Sequence, residues 1–263
     1  MTPANGLKVF ITGASSGIGA ALAGFYADRS ATLGISARRG DHLQALAAKL
    51  ASRGANAVHC YPLDVADADA LRNAAEDFAR QAGTPDIVIA NAGVSSGTLT
   101  EHQEDLAVIR RILEINVFGM AATFSPFIPA MQERGSGRLV GIASVAGIRG
   151  LPGAEAYSAS KAAAIAYLES LRLEMRPSGV KVVTIAPGYI ETPMTAINPY
   201  PMPFMLPADE AARRFARSIE RGTSYTVIPW QMGVVAKGLR LLPNWLYDRL
   251  FTNAPRKPRK LAG

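Results

Sequence analysis

The chain has 263 residues, 49% of them hydrophobic, and a formal net charge of +7. That length suits one α/β domain, the apolar content excludes a disordered chain, and a single cysteine, Cys60, excludes an internal disulfide. The basicity is local: seven basic residues and one acid, Asp248, lie from Lys237 onward, so residues 1–236 are nearly neutral and a polyanion-binding body is not expected.

Strand-like and helix-like segments alternate along the chain. "LKVFIT" precedes a Gly-rich turn and "IGAALAGFYADR". "ATLGISA" is followed by "DHLQALAAKLASR", "NAVHCYPL" by "ADALRNAAEDFARQ", and "DIVIA" by a long helical pattern from about Glu104 to Glu133. "RLVGIAS" leads to "AYSASKAAAIAYLESLRLEM", and "VKVVTIA" to an irregular stretch and "ADEAARRFARSIER"; "YTVIP" is the last strand. Continuous apolar strands separated by helices predict a doubly wound, Rossmann-like parallel sheet of about seven strands in a single domain. The N-terminus lacks a cleavable signal pattern and no run reaches about 18 apolar residues, so a cytoplasmic protein without a spanning helix is expected.

Ligands of such sheets bind beyond the carboxyl ends of the strands. After the first strand comes "TGASSGIG", Thr12–Gly19. Gly13, Gly17 and Gly19 would let backbone approach a pyrophosphate and let the helix pack closely on the sheet, and the helix N-terminus would attract the phosphates with unpaired N–H groups. Their spacing differs from the common G-x-G-x-x-G. The second strand ends at Arg38 and Arg39, where an NAD-binding chain would place an acid; a guanidinium suits a 2′-phosphate, so NADP(H) is the expected cofactor.

Tyr157 and Lys161 stand four apart on a predicted helix and share a face. A phenol titrates near ~10, and a neighbouring ammonium favours its ionised form, so the pair could act as a tuned acid or base. Ser144 ends the strand "RLVGIAS", where its hydroxyl could meet a reacting carbonyl oxygen or simply cap a helix. Asn116 is a polar residue amid apolar helix neighbours and needs a partner.

In combination these motifs make the sequence similar to the short-chain dehydrogenase/reductase family over about residues 7–230. "TGASSGIG" resembles the family's cofactor loop, with Ser15, Ser16 and Ile18 in it, and "NAG" (Asn91, Ala92, Gly93) its sheet-stabilising motif. Asn116, Ser144, Tyr157 and Lys161 match its catalytic tetrad. "PGYIETPM", with Pro187, Gly188, Ile190 and Thr192, matches the segment closing over the nicotinamide, where Thr192 would bind the carboxamide. Asp64 and Val65 match the adenine contacts. The resemblance implies hydride transfer between NADP(H) and a carbonyl or alcohol, with Tyr157 as acid/base and Ser144 on the oxygen. It further implies Lys161 on the nicotinamide ribose and lowering the Tyr157 pKa, Asn116 holding a water, and a homodimer or homotetramer.

Residues 189–207 are the expected substrate lid. Met194, Met202, Phe204 and Met205 give it an apolar character, and an apolar or lipid-like substrate is expected. Residues 231–263 form a basic amphipathic extension to the catalytic domain, 1–230. Val235, Leu239, Leu242, Leu246 and Leu250 recur at helical spacing, Pro243 should interrupt the helix or start a second one, and "PRKPRK" should be a flexible cationic end. The stripe could lie in a membrane interface or pack on the protein; a nucleic-acid role is not expected. No metal site is expected. The alternative to an enzyme is a membrane- or partner-associated NADP-binding protein in which turnover is secondary.

Overall fold

The computed structural model describes residues 6–259. Lys260 and residues 1–5 and 261–263, which the sequence assigns to the two ends of the predicted domains, lie outside the described residues.

Seven strands form one sheet: β1 (Lys8–Thr12), β2 (Thr32–Ala37), β3 (Ala57–Pro62), β4 (Ile87–Ala90), β5 (Gly137–Ile142), β6 (Val180–Pro187) and β7 (Tyr225–Ile228). Their order is β3-β2-β1-β4-β5-β6-β7, and every pairing is parallel. Val9 of β1 stands beside Leu33 on one side and Ile87 on the other. The central strands are buried on both faces, which explains their continuous apolar sequences. Because all strands run the same way, they start at one edge and end at the other. The turns at 54–56 and 135–136 lead into β3 and β5 at the starting edge.

Helices α1 (Gly17–Ala27), α2 (Gly40–Ser52) and α9 (Ala208–Arg221) cover one face. Ala211, Ala212, Phe215, Ala216 and Ile219 give α9 one buried stripe, set at the three-to-four spacing of a helix. Helices α3 (Ala68–Ala82), α4 (Asp105–Leu113), α5 (Gly119–Phe124), α6 (Ile128–Arg134) and α7 (Glu155–Met175) lie on the other. The long pattern expected from Glu104 to Glu133 is therefore α4, a π-helical stretch (Glu114–Phe118), α5 and α6. By composition alone this run could cross a membrane, with an 18-residue window of mean hydropathy 1.3, but half of that window is buried in the domain. Met120, Phe124, Phe127 and Met131 from it pack with Phe10, Val88 and Leu139 of the sheet.

A short helix α8 (Pro193–Ala196) sits in the expected lid, and α10 (Trp230–Leu241) and α11 (Asn244–Phe251) form the extension, with the break at Pro243 as expected. The single apolar stripe expected there is corrected. Met232, Gly233 and Ala236 of α10 and Tyr247 of α11 are buried, whereas Val235 and Leu250 are 41% and 59% exposed. The turn at Pro243 resets the helical phase, so the two helices cannot share one stripe. Arg149 clamps this break. Its guanidinium donates to the carbonyls of Leu239 and Leu242 and to Asn244 Oδ1, and its carbon lies 3.8 Å from the Tyr247 ring centroid. A cation at the last carbonyls of a helix is favourable. Tyr247 completes the joint by donating its hydroxyl to the Gly150 carbonyl at 2.7 Å.

Candidate active site

The sheet order reverses between β1 and β4, and the carboxyl ends of the strands open there into a cleft of about 340 Å³. Gly13, Ser15, Ser16, Gly17 and Ile18 line it from the first turn, where Ser16 caps α1 without a side-chain hydrogen bond of its own. The eleven-residue α1 thus presents its N-terminus to the cleft. Of the two roles expected of these glycines, Gly19 fills the packing one. It lies behind the loop, where an added methyl would meet Ala14 and the Asn91 amide nitrogen, so it serves close packing and does not line the cleft.

Arg38 and Arg39 line the cleft at the end of β2, both exposed, and neither forms an ion pair among the described residues. Asp64 and Val65 line it after β3. The Asp64 carboxylate is paired with Arg111 and also accepts from the Ala66 N–H at 3.0 Å. Asn91 binds the first turn: its Nδ2 donates to the carbonyls of Thr12 (3.1 Å) and Gly13 (3.0 Å). Asn91, Ala92 and Gly93 all line the cleft.

Ser144, Tyr157 and Lys161 converge on the same cleft from the end of β5 and the first turns of α7. Ser144 Oγ accepts from the Ala146 N–H at 3.1 Å, capping a short 3₁₀ turn, so both readings of this serine hold: it is a cap and it faces the cleft. Burial raises the Tyr157 phenol above its ordinary range, and the hydrogen-bonding Ser144 hydroxyl opposes that rise. The Lys161 ammonium donates to the Ile142 carbonyl at 2.8 Å and stands 5.8 Å from the Tyr157 ring centroid, and burial brings its own pKa down to about 8. An ammonium has three donors, so two remain for a ligand.

Asn116 does not line the cleft; it is fully buried in the π-helical stretch. Its Oδ1 accepts from the Val94 N–H at 2.8 Å, and its Nδ2 donates to the Val94 carbonyl (3.0 Å) and Ser160 Oγ (2.9 Å). The side-chain amide is thereby engaged entirely by protein. π-helical interruptions recur at functional sites, and this one sets Asn116 between the strand-end loop and α7.

Pro187, Gly188, Ile190 and Thr192 line the far side, with Thr192 in a reciprocal capping box with Thr195. Of the expected lid residues, Met194 lines the cleft. Met202, Phe204 and Met205 do not; Phe204 is 50% and Met205 38% exposed. Ile197, Val94, Ser95 and Ile115 supply apolar and small lining that sequence reading did not single out. The donor set fits a dinucleotide: a helix N-terminus, two free guanidiniums, and an ammonium with spare donors.

A family model described as short chain dehydrogenase matches residues 8–199. The chain belongs to the short-chain dehydrogenase/reductase family. This short-chain dehydrogenase/reductase is 41% identical over 238 residues to an uncharacterised oxidoreductase of Myxococcus xanthus, covering 90% of this chain and 93% of that one. It is 34% identical over 189 residues to the 2-dehydro-3-deoxy-L-rhamnonate dehydrogenase (NAD(+)) of a Sphingomonas species, covering 72% of this chain and 74% of that one. Its fold matches a crystal structure of 3-oxoacyl-[acyl-carrier protein] reductase with bound NAD from Brucella melitensis. The TM-score is 0.74 at 30% identity, over 85% of this chain and 89% of that one.

Proposed function

We propose that the protein is an NADP(H)-dependent oxidoreductase that interconverts a carbonyl and an alcohol on a substrate with an apolar body. The observation that carries this reading is the convergence of Ser144, Tyr157 and Lys161 on a cleft continuous with the Gly13–Ile18 turn. The unpaired Arg38 and Arg39 at its other end favour a 2′-phosphate over a bare ribose.

Bound NADP(H) supplies or accepts the hydride. Tyr157 gives its proton to the carbonyl oxygen in reduction and takes it back in oxidation. The burial that raises its pKa keeps the phenol protonated, the form that reduction needs. Ser144 donates to the same oxygen and stabilises charge as it develops there. Lys161, with two spare donors, holds the nicotinamide ribose and replenishes the proton. Asn116 acts through Val94 and Ser160, keeping the strand-end loop and α7 in register. The decisive experiment follows NADPH absorbance with medium-chain aldehydes and ketones, with Tyr157→Phe as control. Turnover that survives that substitution unchanged would sink the mechanism.

Two further associations are part of the reading. Leu106, Leu113 and Phe118 on α4 and the π stretch, with Leu173 on α7, are exposed apolar residues and favour a homodimer or homotetramer built on these helices. Light scattering at graded concentrations tests this, and a monomer throughout would refute it. On the extension, Trp230, Val234, Leu241 and Trp245 are 61–84% exposed beside Lys237, Arg240 and Arg249. Exposed Trp with adjacent cations favours peripheral contact with an anionic bilayer. Vesicle sedimentation compares Trp230→Gln/Trp245→Gln with the parent; equal partitioning into anionic vesicles would remove the membrane contact.

A further inference from the structure

The basic end of the chain was expected to be flexible. From 252 to 259 it instead runs across the catalytic end of the domain. The Gly97 N–H donates to the Pro258 carbonyl at 2.8 Å, and a methyl added at Gly97 would collide with the Lys257 carbonyl, so the two backbones touch. Arg259 is held by Asp105 at 2.9 and 3.1 Å and by Glu104 at 3.0 Å. The Arg256 stem covers Gly153.

Between these anchors Lys257 turns inward. Its Nζ donates to Ser95 Oγ at 2.8 Å and lies 5.9 Å from the Tyr157 ring centroid, nearly the distance at which Lys161 stands from that ring. Ser95 is buried and lines the cleft next to Val94. Among the described residues no carboxylate lies within 4.0 Å of Lys257; the nearby acids Asp105 and Glu104 are engaged by Arg259. Burial brings the Lys257 pKa down to about 8, which leaves it mostly charged at neutral pH. A partly buried ammonium without a counter-ion is costly, and among the described residues Ser95 is its one hydrogen-bond acceptor.

We propose that Lys257 is the anion-binding corner of the substrate pocket, and that the carbonyl substrate carries a carboxylate or phosphate within a few bonds of the reacting carbon. This rests on the reading of Tyr157 as the acid/base at the reacting oxygen. It refines the apolar substrate into one with an apolar chain and an anionic group close to the carbonyl, the chain lying along Met194 and Ile197 and the anion beside Ser95.

The test uses the full chain complexed with NADPH, so that the dinucleotide's phosphates occupy their own site. Hexanoate, hexyl phosphate and neutral hexanamide are titrated against the parent, Lys257→Met, Lys257→Gln and Lys257→Arg, following bound-NADPH fluorescence. The parent is expected to bind one of the anions at least about tenfold tighter than the amide, as a charged hydrogen bond allows. The Met and Gln variants lose that preference and the Arg variant retains part of it; which anion is preferred identifies the group. Equal binding of anions and amide by the parent, or an unchanged preference in a folded Met or Gln variant, overturns the proposal. A second arm compares turnover of medium-chain alkanones with oxoalkanoates of the same length. Tyr157→Phe lowers turnover by about 10²–10⁴-fold but keeps Lys257-dependent hexanoate or hexyl phosphate binding, so the subsite and the reductase reading can fail separately.

Discussion

Asn116 grips Val94 with both ends of its amide, accepting from the Val94 N–H at 2.8 Å and donating to the Val94 carbonyl at 3.0 Å. Val94 follows the Asn91–Gly93 loop and lines the cleft, so one buried side chain fixes the backbone on which part of the site is built. Asn116→Ala leaves that backbone N–H and carbonyl without partners. A loss of about 1–3 kcal/mol for a buried group left unpaired is expected, measured by urea unfolding. Asn116→Asp can still accept from the Val94 N–H but cannot donate to the carbonyl, and is expected to fall between the two.

Tyr157→Phe is expected to lower kcat by about 10²–10⁴-fold with little change in NADPH affinity, since it removes only the transferable proton. Steady-state rates and a fluorescence titration of NADPH measure the two effects. A parallel loss of cofactor binding would reassign the phenol to the dinucleotide.

Arg38→Ala is expected to weaken NADPH by about 10- to 100-fold and NADH by much less, because the guanidinium has no ion-pair partner among the described residues and would lose only the 2′-phosphate. Dissociation constants for both dinucleotides, determined side by side, check this. Equal losses would show that Arg38 does not read the phosphate.

Lys161 should leave a mark on stability. Its folded pKa, about 8, lies below the 10.5 of an exposed lysine, so between these values the unfolded chain binds more protons than the folded one. Stability should therefore rise with pH over that window, up to the point near ~10 where tyrosines raised by burial begin to oppose it. Lys161→Met removes this group's share of the rise, at the cost of the hydrogen bond to the Ile142 carbonyl. Denaturant midpoints at several pH values would show it, and a slope unchanged in the variant would refute it.

Arg149→Ala is expected to loosen the extension while leaving the sheet intact. The guanidinium satisfies carbonyls at the end of α10 and covers the Tyr247 ring. Amide hydrogen exchange over 239–251 should accelerate by about tenfold or more, with β1 and β4 unchanged.

The sequence was legible where local pattern and tertiary position agree. Continuous apolar strands marked the buried parallel sheet, and the turn after β1 and the Tyr157/Lys161 pair marked the cleft. It could not say which of two expected roles Gly19 fills, because a glycine needed for close packing and one needed for ligand approach look alike. Met202, Phe204 and Met205 looked like pocket lining, but an apolar residue in a loop carries no periodicity to show which way it faces. The role of Lys257 was invisible for a different reason. "PRKPRK" has neither helical nor strand period, and its contacts, Gly97, Ser95 and Asp105, are more than a hundred residues away in the chain. Only folding brings them together.

The parallel sheet also gives the molecule two ends with separate duties. The cleft, the lid and the Lys257 segment sit where strands finish, while the exposed turn at 135–136 sits where β5 starts. A fluorophore, an epitope or a surface tether placed at that turn would be separated from the cleft by the length of the sheet. Molecules tethered there would all face the solution with their clefts, which makes this turn the natural handle for immobilising the protein.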